Sequence, residues 1–180
     1  LPMFYPTVKE HYDRICRVTM HLEFPGQNPT ENCGSSGWHG RDIKAEFPEV
    51  EDYARIFYSW DKVMARAGEK EIGIPILCYS ENSLFRLFSF EFAEGDSATA
   101  LSEPTGMVLS QETAKSLFGD EKALGRTVTL QGSNEYKVTG VLKKIPSNSH
   151  LRFDMLVPLT RRWPLETLES PGQAGNNQSL

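Results

Sequence analysis

The stretch that most limits the fold runs from Ser110 to Val157, where one helix signal is followed by three strand signals with little between them. Ser110-Gln111-Glu112-Thr113 puts a hydroxyl where it can cap a first helical turn, which predicts a helix over residues 111–118 ended by Gly119. Residues 126–130 then alternate, Gln131-Gly132-Ser133-Asn134 has turn chemistry, and residues 135–142 alternate back with Tyr136, Val138 and Val141 as the apolar face. That pattern is a hairpin. A polar loop over residues 143–150 leads to a further strand at residues 153–157, stopped by Pro158.

The remaining signals fall around this unit. In residues 12–24, Tyr12, Cys16, Val18, Met20, Leu22 and Phe24 share one parity, which predicts a long half-buried strand. A turn-dense loop over residues 25–30 and a glycine-rich passage precede a helix beginning at Ser36 or Trp38, running to Phe47 and stopped by Pro48. Residues 53–58, 62–66 and 71–79 predict three strands in a small antiparallel meander. Glu81-Asn82-Ser83 opens a second helix, and Phe85, Phe88, Phe90 and Phe92 are expected in the core. Residues 106–109 form another strand, whereas residues 158–180 read as loop or disordered tail, leaving an ordered core over about 12–157. Strands and helices in this order define an α+β fold without regular parallel crossovers. Tyr136, Val138 and Val141 are expected to bury against Val128, Leu130, Phe85, Phe88 and Phe118.

Several short passages in this order carry a family resemblance. Phe118-Gly119-Asp120, Leu124-Gly125-Arg126, Tyr136-Lys137-Val138-Thr139-Gly140-Val141 and Ile145-Pro146-Ser147-Asn148-Ser149-His150-Leu151 with Phe153-Asp154 resemble the extracytoplasmic (periplasmic core) domain of MacB-like and FtsX-like ABC transporter permeases, in the form common in Bacteroidetes. Upstream, residues 12–18, Glu46-Phe47-Pro48-Glu49-Val50, Phe88-Ser89-Phe90, Glu94-Gly95-Asp96 and Ala100-Leu101 fit in the same order. The resemblance implies one extracytoplasmic domain over residues 1–180, with a mixed porter-like lobe and an inserted β-rich lobe, on the periplasmic side of the inner membrane. It implies a permease homodimer, a cytoplasmic ABC ATPase reached through transmembrane helices outside this segment, and a periplasmic partner protein or substrate. It also implies that Leu1 follows a first transmembrane helix and that more of the domain follows Leu180.

Composition bounds the alternatives. The chain has 180 residues, 39% of them hydrophobic, enough for a real core. A formal net charge of −5 with no basic run longer than Lys143-Lys144 argues against nucleic acid and anionic membrane surfaces as partners. No apolar segment approaches the roughly 20 residues a bilayer-spanning helix needs, and there is no charged-then-apolar leader or phosphate-binding loop. Cys16 and Cys78 sit in apolar runs and read as small buried thiols, with a Cys16–Cys78 disulfide as the alternative in an oxidising compartment.

Reactive constellations are weak. Cys33-Gly34-Ser35-Ser36-Gly37-Trp38 echoes a thiol-protease neighbourhood, yet Ser36 stands where the nucleophilic cysteine belongs, and His39 and His150 would be the bases. Gly34-Ser35-Ser36-Gly37 lacks the second glycine and the leading strand of a nucleophile elbow. His11, His21, His39 and His150 have no partner at metal-ligand spacing. Glu49, Glu51-Asp52 and Asp120-Glu121 read as solvated charges at helix ends and turns. The expectation is therefore no catalytic, cofactor-binding or metal-binding residue, and a domain that passes ATPase-driven motion to a partner or substrate in efflux or in lipoprotein or peptide export. A free-standing periplasmic ligand-binding module with an apolar cleft is the alternative, and a cysteine hydrolase a remote one. The isolated chain is expected to be monomeric or weakly self-associating, any exposed strand edge lying near residues 153–157.

Overall fold

The computed structural model describes residues 13–32, 34–59, 61–146, 149 and 151–163. In chain order they form β1 (Met20–Leu22), β2 (Thr30–Asn32), α1 (His39–Glu46), β3 (Ile56–Ser59), β4 (Val63–Ala67), β5 (Lys70–Ile74), β6 (Leu77–Ser80) and α2 (Leu84–Leu87). Then follow β7 (Phe92–Gly95), β8 (Gly106–Ser110), α3 (Gln111–Phe118), β9 (Thr127–Leu130), β10 (Asn134–Leu142) and β11 (Met155–Pro158), closed by a 3₁₀ turn, Leu159–Arg161.

Nine strands make one mixed sheet in the order β3-β6-β11-β8-β10-β9-β4-β5, with β7 also paired to β10. The β8–β10 and β6–β11 pairs are parallel and the rest antiparallel. Helices beside one large mixed sheet give the α+β class the residue order predicts. β10 holds the sheet together: its first half pairs with β9, its second half with β7, and its other edge with β8.

Every residue of β8 and β11 is buried, so both faces of the sheet carry apolar cores at its centre. Met107, Leu109, Met155 and Val157 enter one core with Val128, Leu130, Tyr136, Val138 and Val141, beneath the buried Ala114 and Leu117 of α3. Val108 and Leu156 enter the other with Cys78, Leu84, Phe88, Leu142 and Phe153. Towards its end the sheet is covered on one face only, and β4 alternates, with Val63 and Ala65 buried and Met64 42% exposed.

The local signals around α3 and the hairpin hold. Ser110 is extended (φ −67°, ψ 155°) and its side-chain oxygen accepts the Thr113 N–H at 3.1 Å, while Gly119 (φ 67°) closes the helix. Gln131 (φ 50°) and Gly132 (φ 78°) supply the two left-handed residues of a tight hairpin turn. In β10, Tyr136 and Val138 share a face, yet Val141, not Gly140, rejoins them. The cause is a bulge: pairing with β8 slips between Val138 and Gly140, and the Thr139 side-chain oxygen accepts the Met107 N–H at 3.0 Å while its hydroxyl donates to the Ala100 carbonyl at 2.5 Å. Gly140 then faces the Phe92 ring so closely that a Cβ would lie 2.6 Å from it.

Other expectations are corrected. Phe118 packs with Tyr136, Val138 and Val141, but Phe85 and Phe88 belong to the opposite core, because the sheet itself lies between. Within residues 13–24 only Met20–Leu22 is a strand, paired with β2 across the Pro25-Gly26 turn; Cys16 is exposed, Val18 43% and Phe24 54% exposed. Among the described residues, only Met20–Leu22 of that stretch has a neighbouring strand. Of the meander only the antiparallel β4–β5 pair forms. Pro75 splits residues 71–79 into β5 and β6, which lie at distant places in the sheet, and β3 pairs with β6, not with β4. The edge expected near residues 153–157 is central instead, and among the described residues the strands with a single neighbour are β3, β5 and β7. Past Pro158, Leu159 is buried and Trp163 packs edge-on against Phe57 at 4.7 Å.

Candidate functional site

The described surface has a polar groove of about 340 Å³, lined by Lys44, Asp52, Tyr53, Glu81, Asn82, Ser83 and Arg86. Its walls come from three places in the chain: α1, the linker into β3, and the turn from β6 into α2. α1 contributes no buried residue, so its attachment is polar. Gly40 permits it, since a Cβ there would lie 2.4 Å from a Tyr53 ring carbon. Arg55 donates to the Gly37 carbonyl at 2.8 Å, forms an ion pair with Glu81 and stacks 5.6 Å from the Tyr53 ring. With exposures of 15% and 24%, the Arg55–Glu81 pair is substantially shielded from water.

Asp52 makes the second link. It accepts from Arg86 Nε at 2.8 Å and from Lys44 Nζ at 3.2 Å, joining α1 to α2. Burial alone would raise its pKa, but the hydrogen bonds from Arg86, the Tyr53 backbone and Lys44, with the Arg86 charge, hold the carboxyl below the ordinary range. Asn82 adds a third link, donating to the Ser97 and Ala98 carbonyls and accepting the Leu101 N–H at 2.9 Å, so the turn over residues 96–101 is tied to α2. Ser83 Oγ is buried without a hydrogen-bond partner. The groove's charges are compensated in pairs, and what the arrangement does is join α1, α2 and the sheet.

The sequence-derived candidates do not meet there. Cys33, His11 and His150 lie outside the described residues. His39 Nδ1 accepts the Ser36 N–H at 3.1 Å and its ring rests 4.0 Å from Trp38, which makes it a local turn contact and occupies that nitrogen. His21 lies 3.0 Å from Glu23, exposed, and no group of three or more His, Cys, Asp or Glu is arranged for a metal ion among the described residues. Cys16 and Cys78 are free, so no disulfide joins them; burial pushes the Cys78 thiol and the Tyr58 phenol well above their ordinary values. Glu51 pairs with Arg14, Glu121 with Arg126 and Asp120 with Lys115, all exposed. Asp52 departs from the solvated reading. Its partners lie 8 and 34 positions away, and Arg55 and Glu81 are 26 apart, separations that no local pattern reveals.

The fold is similar to that of solved transporter domains. The chain aligns with a domain of a permease protein from Porphyromonas gingivalis at TM-score 0.72 and 23% identity, covering 89% of this chain and 67% of that one. It also aligns with the extracellular domain of the noncanonic ABC-type transporter YknZ from Gram-positive bacteria at TM-score 0.51 and 22% identity, covering 71% of this chain and 64% of that one. No curated protein matches. The family model for the MacB-like periplasmic core domain matches residues 6–177, and the chain belongs to that family. It is therefore a periplasmic domain of a MacB-like ABC transporter permease, and no helix among its described residues is long and apolar enough to cross a membrane.

Proposed function

We propose that this domain is a non-catalytic relay, passing motion from a cytoplasmic ABC ATPase to a partner or substrate on the far side of the membrane, within a permease dimer. The observation that carries the reading is the sheet centre, where β8 and β11 are buried on both faces. A layer packed on both sides resists bending and moves as one body. The ion pairs of Asp52 and Glu81 extend that body to α1 and α2. Efflux and export of lipoproteins or peptides are the transport classes this reading covers. A ligand-binding module would use an apolar cleft with convergent free polar groups, whereas this groove is polar and its charges are paired.

The test uses the full-length permease with its ATPase. Spin labels at the exposed Glu46 and Glu112 report a distance within one domain, and labels at Glu112 of both protomers report the distance between domains. ATP should change the second distance and leave the first unchanged. A change in the first, or in neither, overturns the relay.

A further inference from the structure

Pro158 ends β11, and the chain then turns across the sheet. Leu159 is buried, and its carbonyl accepts both the Arg162 N–H at 2.9 Å and the Trp163 N–H at 3.2 Å, which closes the 3₁₀ turn. Such a turn has three residues per revolution, so consecutive side chains leave it about 120° apart. Arg161 and Arg162 accordingly reach different strands. The Arg161 guanidinium lies 5.2 Å from the Tyr136 ring centroid, with Nε donating to the Tyr136 hydroxyl at 3.4 Å and Nη2 to Asn134 Oδ1 at 3.3 Å, both partners on β10. Arg162 lies 5.9 Å from the Phe57 ring on β3, and Trp163 meets that same ring edge-on at 4.7 Å.

Between β10 and β3 the sheet holds β8, β11 and β6. At about 4.8 Å per strand, the two attachments are about 19 Å apart. The surface beneath is joined up: Phe57 is the register partner of Tyr79 on β6, their rings 6.1 Å apart, and Tyr79 packs on the core to which Tyr136 belongs. Burial pushes the Tyr79 phenol above its ordinary value, Tyr136 adds to the rise and both arginines oppose it, so these side chains share one neighbourhood. We infer that residues 159–163 are a strap fastened at two ends, Arg161 on β10 and Arg162 with Trp163 on β3, which ties the two sides of the sheet's centre together over β6, β11 and β8. Each ladder between neighbouring strands allows a small change of twist, and from β3 to β10 these changes add; a tie across the face opposes their sum. The use of such a tie rests on the relay reading, since a sheet that twists between its sides passes on less motion. The tie itself is tested on the chain without ATP or membrane, so either can fail while the other stands.

The test is native-state hydrogen exchange of the 180-residue chain. Arg161→Ala should speed exchange about 2- to 5-fold at Asn134–Tyr136 and leave Ile56–Ser59 unchanged, and Arg162→Ala/Trp163→Ala should do the reverse, the size expected for losing a solvent-facing cation–π contact. Arg161→Lys, whose ammonium also sits on a ring, should recover part of the protection. In a Cys16→Ser/Cys33→Ser background, spin labels at the exposed Asp61 and Glu135, beside the two ends, should give a broader distance distribution in either alanine variant than in the parent. Cooperative melts check that each variant folds. Equal acceleration at both ends in each variant, which marks a general loss of stability, overturns the strap, as does no change at either end or a label distance that does not broaden.

Discussion

Thr139 shows how one side chain sets the face of a whole strand. Its oxygen serves the Met107 N–H and the Ala100 carbonyl where the ladder slips, so Thr139→Val, similar in shape, strands two backbone groups. The expected loss is about 1–3 kcal/mol in a denaturant titration with unchanged slope. Asp52 makes a pH prediction. Its folded pKa is depressed below the ordinary 3.8, so its stabilisation is fully present above that value and is lost as pH falls through the lower folded value. Asp52→Asn should therefore be less stable than the parent at neutral pH, and the gap should close in acid; a gap that persists at the acid end refutes the assignment. Thiol chemistry separates the cysteines. In a Cys33→Ser variant, exposed Cys16 should react with maleimide in the native state and Cys78 only on unfolding, and the parent chain should bind no stoichiometric zinc.

At the scale of elements, α3 and the β9–β10 hairpin were legible because their determinants are neighbours in sequence: a hydroxyl at Ser110, a glycine at Gly119, two turn residues at Gln131 and Gly132. Ser110→Ala should cost about 1 kcal/mol, and Val138→Asp, at a position 1% exposed, should abolish the cooperative unfolding transition. What alternation does not carry is the identity of the neighbour. Residues 13–24 have the pattern of a strand and form only three residues of one, whereas β11, four residues long, sits at the centre because β6 and β8 flank it. The Val141 parity could be read but not its cause, since the slip depends on β8, about 30 residues earlier. The site was the least legible part: each of its ion pairs joins segments whose meeting is decided by the sheet.

For the whole molecule, the exposed Val18, Phe24 and Phe47 lie on the part outside the nine-stranded sheet, and the chain spans 67% and 64% of the two related domains. Sedimentation of this chain beside a version continued past Leu180 should find the shorter chain the more prone to self-association, with hydrogen exchange slowed at residues 13–24 in the longer one; a tight dimer of both would contradict this. The central place of β11 has a further consequence in time. Ile76 donates to the Asp154 carboxylate across 78 positions, and β6 has no second neighbour until Met155–Pro158 arrives beside it. A chain delivered to the periplasm from its N-terminus thus leaves one edge each of β6 and β8 unpaired until β11 arrives. Its sheet can close only after Pro158 has crossed, so folding is expected to be slow, late and dependent on protection of those edges during export.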